Sequence, residues 1–458
     1  MSQNSHSSKF DLQKKQFGTD FVWGVSAAAY QTEGAFDKHG KGESIWDRFV
    51  SKKGNIKDGH HGEIACDFFN KYREDIYLMK TMNIPNFRFS LSWSRILPYG
   101  IGYINEEGIN FYNKVIDFCL ECGITPWITL YHWDLPQDLE EKGGWTNRDI
   151  LIWFEEFVKI AASRFGDRVK NWIVLNEPMV FTGAGYFLGV HAPGRKGLSH
   201  FLPAVHHTVL CQALGGRILR SLVPNSTIGT SFSCSQITPY SNKNKDIQAA
   251  QKADALLNRL FLEPLLGMGY PKEVIPILKR LEKYQKPEDA KNCVFDFDFI
   301  GIQNYTREVV KHNYFVPYIK AKIVKAHKRK VSITQMNWEI YPPSIYAMIA
   351  KFNTYENIKK ILITENGAAF KDIVKNGKIK DTDRLCYIQN YLEQVLNAKS
   401  DGFKVDGYFA WTFTDNFEWA EGYHPRFGLV YVDFKDQTRI IKDSGKWYRD
   451  FLASNNSY

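Results

Sequence analysis

Two glutamates in this sequence stand in settings that suit chemistry better than solvation. Glu177 follows the apolar run Trp172 to Leu175 in Asn176-Glu177-Pro178, and Glu365 closes the run Ile361 to Thr364 in Thr364-Glu365-Asn366-Gly367. Carboxyl groups at the ends of two separate buried strands can converge on one point from two walls. Such a pair answers the demands of a glycosidic bond, whose leaving alkoxide needs a proton and whose anomeric carbon must become oxocarbenium-like. One carboxylic acid protonates the leaving oxygen while the other, ionised, attacks carbon, at a separation of about 5 to 5.5 Å in retaining hydrolysis. With Glu365 anionic, Glu177 is discouraged from ionising. Once a glycosyl ester has removed that charge, Glu177 can act as a base on water.

The elements that must position them are short buried strands. Eight apolar, β-branched or aromatic runs recur along the chain: Phe21 to Ala27, Asn86 to Ser90, Thr125 to Tyr131, Trp172 to Leu175, Thr227 to Ser231, Phe299 to Gln303, Ile361 to Thr364 and Val405 to Trp411. Stretches of helical periodicity separate them. Strands buried on both faces and alternating with helices predict a parallel sheet, and eight of them predict a closed (β/α)₈ barrel with inserted loops. An open doubly wound sheet is the alternative, weakened because no G-x-G-x-x-G follows the first run. No linker or low-complexity block divides the chain, so residues 17–458 are expected to form one catalytic domain behind a flexible tail, 1–16.

Chemistry in such a barrel sits at the C-terminal mouth. The residues that fall there are Tyr30-Gln31-Thr32-Glu33 after strand one, Arg88 in strand two, and His132-Trp133-Asp134 after strand three. Gln303-Asn304-Tyr305 ends strand six, and Trp411, then Asp415-Asn416-Phe417-Glu418-Trp419, follows strand eight. Aromatic residues make up 15% of the 458, beyond what a core needs, and sugars stack their axial C–H faces on such rings.

Composition narrows the rest. With 44% apolar and 24% charged residues the chain is an ordinary water-soluble folder. The net charge of +9 is dispersed, with only Lys320 to Lys330 forming a dense basic stretch, so neither nucleic acid nor membrane is an expected partner. The first residues lack a secretory h-region, and the odd, scattered set of seven cysteines suits reduced thiols, so a cytoplasmic location is expected. Cys119-x-x-Cys122 has no second pair or nearby His at zinc spacing and is taken as helix packing, as are the adjacent His206 and His207. No metal or organic cofactor is expected.

Over Phe17 to Tyr448 the sequence resembles glycoside hydrolase family 1, the β-glucosidase family. The motifs are Leu175-Asn176-Glu177-Pro178, Ile363-Thr364-Glu365-Asn366-Gly367, the run Phe21 to Gly34 and the run Asp415 to Ala420. The resemblance implies a retaining β-glycosidase that releases the terminal β-glucosyl residue, with β-galactosyl and β-fucosyl as related substrates. It makes Glu177 the acid/base and Glu365 the nucleophile. It implies that Gln31, His132, Trp133, Asn176, Glu418 and Trp419 contact the terminal sugar, with Trp411 as its platform. Arg88 and Tyr305 would support the ionised Glu365, Trp338 would carry the leaving group, and Phe427 would line the pocket.

Several positions depart from the family's usual residues: Gln303 and Asn304 for Asn and Tyr, Val174 for Thr, Gln212 and Tyr391 for His, Asn337 for Gly. Two other readings compete. A 6-phospho-β-glycosidase would have to place a dianion against the Glu418 carboxylate, which would repel it. A non-catalytic sugar- or partner-binding barrel would need neither glutamate.

Overall fold

The computed structural model describes residues 12–454. Eight parallel strands close into a barrel: β1 (Val22–Ser26), β2 (Asn86–Ser90), β3 (Thr125–Tyr131), β4 (Asn171–Asn176), β5 (Thr227–Ser233), β6 (Phe299–Gln303), β7 (Ile361–Asn366) and β8 (Val405–Trp411). Each pairs with its sequence neighbours and β1 pairs with β8, so the ring has no edge and the open-sheet alternative is excluded. The strands are apolar along nearly their whole length because both faces are buried. Trp127, Ile173, Phe299, Leu362 and Phe409 meet inside and fill the barrel below its mouth.

Helices return the chain between strands: α1 (Phe68–Thr81), α2 (Glu106–Glu121), α3 (Ile150–Phe165), α4 (Leu198–Leu222), α5 (Asn244–Asp254), α6 (Pro343–Asn353), α7 (Thr382–Ser400) and, after β8, α8 (Asp443–Ala453). Helix α2 shows the pattern that holds them on. It buries Ile109, Tyr112, Val115, Ile116 and Cys119, an i, i+3, i+4 stripe that faces the strands. Cys119 is thus core, and all seven cysteines are unpaired. His206 and His207 are buried in α4, the first bonded to Tyr270 and Asp289, the second to the Trp145 carbonyl.

Several boundaries differ from the sequence reading. Most of the expected tail lies outside the described residues, but its end is ordered: Lys14–Phe17 forms a 3₁₀ turn. Phe17 packs on Phe21, Trp23 and Phe451, which ties the chain to the barrel floor and to α8. Strand β7 runs on through Glu365 to Asn366, and β5 runs two residues past its expected end to Ser233. Over the mouth lies a small sheet of Gln236–Pro239, Arg307–His312 and Ala321–Ile323. The basic stretch begins on this sheet and continues past it, and the neighbouring hairpin tip exposes Phe315.

Candidate active site

Glu177 and Glu365 reach the mouth from β4 and β7, three strand positions apart around the ring. Both strands are irregular there. A left-handed residue at Glu177 (φ 47°) ends β4, and Pro178, with no N–H to lose, opens a one-turn helix. Around Glu365 the register slips against both β6 and β8, a bulge-like device that re-aims side chains. Gly367 completes the turn because a Cβ there would run into the Trp411 carbonyl oxygen.

The two carboxyl groups have different company. Arg88, fully buried on β2, donates from Nη1 to Glu365 Oε1 (2.5 Å) and to the Thr364 carbonyl (3.1 Å). Gln303 Nε2 donates to the same Oε1 (2.8 Å), and the Tyr305 hydroxyl donates to Oε2 (2.6 Å). Tyr305 is itself held, its carbonyl accepting from Tyr387 (2.8 Å) and Tyr391 (3.1 Å). Among the described residues no cation pairs with Glu177. Burial, then the charge of Glu365, pushes its carboxyl well above the ordinary range, opposed by Ser233 and more distantly by Arg88. Burial raises Glu365 as well, but Arg88 and Tyr305 pull it back, so Glu365 ionises first.

Around this pair lies a cavity of about 320 Å³, lined among others by Gln31, His132, Trp133, Trp411, Glu418 and Trp419. Tyr305, Trp338 and Phe427 line it too, as a packed aromatic group. The His132 ring stacks 6.0 Å from both Trp411 and Trp419. Asn176 Nδ2 donates to His132 Nε2 (3.0 Å), which places the His132 proton on Nδ1. Burial, then Arg88, drives the His132 pKa well down and keeps the ring neutral.

Among the described residues no lysine or arginine lines the cavity, whereas five glutamates do. A phosphosugar dianion would find no cation there. Burial and then Glu365 push the Glu418 carboxyl up to about 8, which weakens the repulsion expected of it. The case against phosphate therefore rests more on the missing cations than on repulsion by Glu418.

Comparison with known proteins agrees with this geometry. The model of glycosyl hydrolase family 1 matches residues 13–457. The chain belongs to glycosyl hydrolase family 1. It is similar to Beta-glucosidase A of Acetivibrio thermocellus, 42% identical over 97% of this chain and 100% of that protein. Beta-glucosidase A of Thermotoga maritima is also 42% identical, over 96% of this chain and 98% of its own. Among solved structures, the Thermotoga maritima β-glucosidase in complex with deoxynojirimycin superposes with a TM-score of 0.92 at 41% identity, covering 95% of this chain and 98% of that one. The protein is a glycosyl hydrolase with a small-molecule carbohydrate substrate.

Within this family 1 site several polar groups are already committed to the protein. Asn176 is fully buried, and its Oδ1 accepts from both Arg88 Nη2 (2.5 Å) and Gln303 Nε2 (2.6 Å). The Trp133 indole donates to the Asn176 carbonyl (2.9 Å), so that ring offers the cavity a surface only. Gln31 donates to the Phe417 carbonyl (2.8 Å) and to Glu418 (3.3 Å). Among the described residues, Gln31 Oε1, His132 Nδ1 and Gln303 Oε1 are buried without a hydrogen-bond partner. Buried polar atoms left in this way mark where ligand hydroxyls fit.

The departures sort by position. Gln303 faces the site, but Asn304 turns away and donates to Cys234, Ser344 and Thr306. Gln212 accepts from Thr230 behind β5, and Val174 is buried beside Gly215. Ser233 and His191 are among the lining residues that escaped sequence reasoning. Ser233 bears on Glu177 because β5 is longer than its apolar run, and alternation from Ser231 would have placed it. His191 comes from the loop after β4, in Gly189-Val190-His191, where no pattern marks it.

Proposed function

We propose that this protein is a retaining β-glucosidase, with Glu177 as acid/base and Glu365 as nucleophile. The unequal setting of the two carboxyl groups carries this reading. Glu365, held by three donors including a cation, is the group that attacks as an anion; Glu177, without one, keeps the proton that the leaving oxygen needs. Formation of the glycosyl ester removes the Glu365 charge, the Glu177 pKa falls, and Glu177 then takes the proton of the attacking water.

The sugar hydroxyls meet Gln31, His132, Glu418 and Gln303, and the ring lies on Trp411 beside Trp419. A β-glucoside fits because its neutral hydroxyls can satisfy the partnerless acceptors and donor, whereas a 6-phosphate meets no cation. The similarity to curated β-glucosidases at 42% identity supports the same substrate class. Two carboxyl groups supply proton transfer and covalent catalysis, so no cofactor is required. Seven unpaired cysteines support work in a reducing compartment, the cytoplasm. Among the described residues no helix is long and apolar enough to cross a membrane.

The test is stereochemical. Proton NMR of an aryl β-glucoside during turnover should show β-glucose first, with α-glucose growing only by mutarotation. Early α-glucose would overturn the mechanism.

A further inference from the structure

A second hollow of about 250 Å³ opens beside the catalytic cavity and shares Thr306, Glu308, Met336 and Trp338 with it. Its far side is built from the segment around Ile323 and from the turn at Asn337. Asn337 holds a left-handed φ of 59°, a conformation that Asn tolerates, so the residue standing where the family often has Gly keeps this turn. The charges in the hollow are not equally free. Arg307 forks onto Glu339 through Nε and Nη2 (both 2.9 Å), and Arg329 donates to the same carboxylate (2.6 Å). Two cations thus share one carboxylate, and Lys325 lines the same hollow.

Glu308 is different. It sits on the strand Arg307–His312, half-buried, facing both spaces. No hydrogen bond from another described residue reaches its carboxyl, and neither half-reaction of the hydrolysis uses it. Burial pushes its pKa up to about 7. A carboxyl held in this way at the junction of two hollows is an acceptor in want of donors.

We propose that this second hollow holds the part of the leaving group beyond its first ring, and that Glu308 selects leaving groups that present hydroxyls there, a second hexopyranose unit of a β-linked oligosaccharide. The inference rests on the β-glucosidase reading and extends it to chain length. The walls fit such a ligand: Trp338, Met336 and Ile323 offer apolar surface for a sugar face, and Glu308 and Asn337 offer polar contacts at its edge.

The experiment compares kcat/KM for cellotriose, which leaves as a disaccharide, with that for cellobiose, which leaves as one ring. An aryl β-glucoside reports that each variant is folded and active. In Glu308→Leu the cellotriose to cellobiose ratio is expected to fall about tenfold, the loss of one hydrogen bond of about 1.4 kcal/mol. Ile323→Trp fills the hollow from the opposite side, leaves Glu308 intact and should lower the same ratio. A ratio within about twofold of wild type, under about 0.5 kcal/mol, in either active variant would overturn the inference while leaving the β-glucosidase reading in place. A wild type that hydrolysed neither these substrates nor the aryl β-glucoside would overturn both.

Discussion

The walls behind Glu365 and Glu177 are built from the same barrel, yet they do opposite things to the same side chain. Both carboxyl groups are buried, and burial raises both. Against Glu365, Arg88 reaches across the barrel mouth from β2, and β6 with the turn after it delivers Gln303 and the anchored phenol of Tyr305. Behind Glu177 the neighbouring strands deliver Ser233 and, among the described residues, no cation. Catalytic role is therefore written less in the two glutamates than in which of them the donors converge on. The largest expected effect follows from emptying the better-furnished wall. Glu365→Ala should lower kcat on aryl glucosides by roughly 10⁴-fold or more, since the covalent route is lost with its nucleophile. Azide should restore part of the rate and yield an α-glucosyl azide, identified by NMR, because only one inversion then occurs. A variant with normal turnover, or rescue that gave the β-azide, would break the comparison.

The opposite wall should respond more selectively. Glu177→Gln removes a proton donor whose importance depends on the leaving group. On cellobiose, with its poor alkoxide, kcat/KM should fall roughly 10²- to 10⁴-fold, the usual contribution of general acid catalysis. On a dinitrophenyl glucoside the glycosylation step should fall by less than about tenfold, because that phenolate leaves without help. The sign with pH is also set. Wild-type activity is lost as pH rises through the elevated pKa of Glu177, so the alkaline limb should vanish from the dinitrophenyl profile of the variant. Equal losses on both substrates would place the acid elsewhere.

How far these walls could be read beforehand depended on what kind of information they needed. The barrel was legible because strands buried on both faces leave continuous apolar runs, and the residue after each run falls at the mouth by construction. That logic reached Glu177, Glu365, His132 and Tyr305. It did not reach the commitments among them. Asn176 reads as a free amide in sequence, yet its oxygen is shared by Arg88 and Gln303 across strands far apart in the chain. The setting of Glu418 was also out of reach, since a charge is assigned from residue type whereas burial and Glu365 raise its pKa. Glu308 was hidden for a related reason. Its strand belongs to the small sheet over the mouth, outside the eight-fold pattern that made the other sites visible.

The smallest effect tests whether Gln303 is an incidental departure or a working part of the Glu365 wall. Its amide nitrogen bridges Asn176 Oδ1 at 2.6 Å and Glu365 Oε1 at 2.8 Å, and its oxygen has no partner among the described residues. Asn at this position is one methylene shorter and cannot span both acceptors from the same backbone. Gln303→Asn therefore weakens one donor to the nucleophile while Arg88 and Tyr305 remain, so kcat/KM should fall by less than about tenfold, as for one hydrogen bond. Losing a donor to the anion disfavours ionisation, which moves the Glu365 pKa further up. Activity at low pH requires that anion, so the acidic limb of kcat/KM should shift to higher pH, with the alkaline limb, set by Glu177, little changed. A fall in rate with both limbs fixed would mean that Gln303 serves the sugar through its free oxygen alone. A shift of the alkaline limb instead would assign its influence to Glu177, and the contrast between the two walls would have to be redrawn.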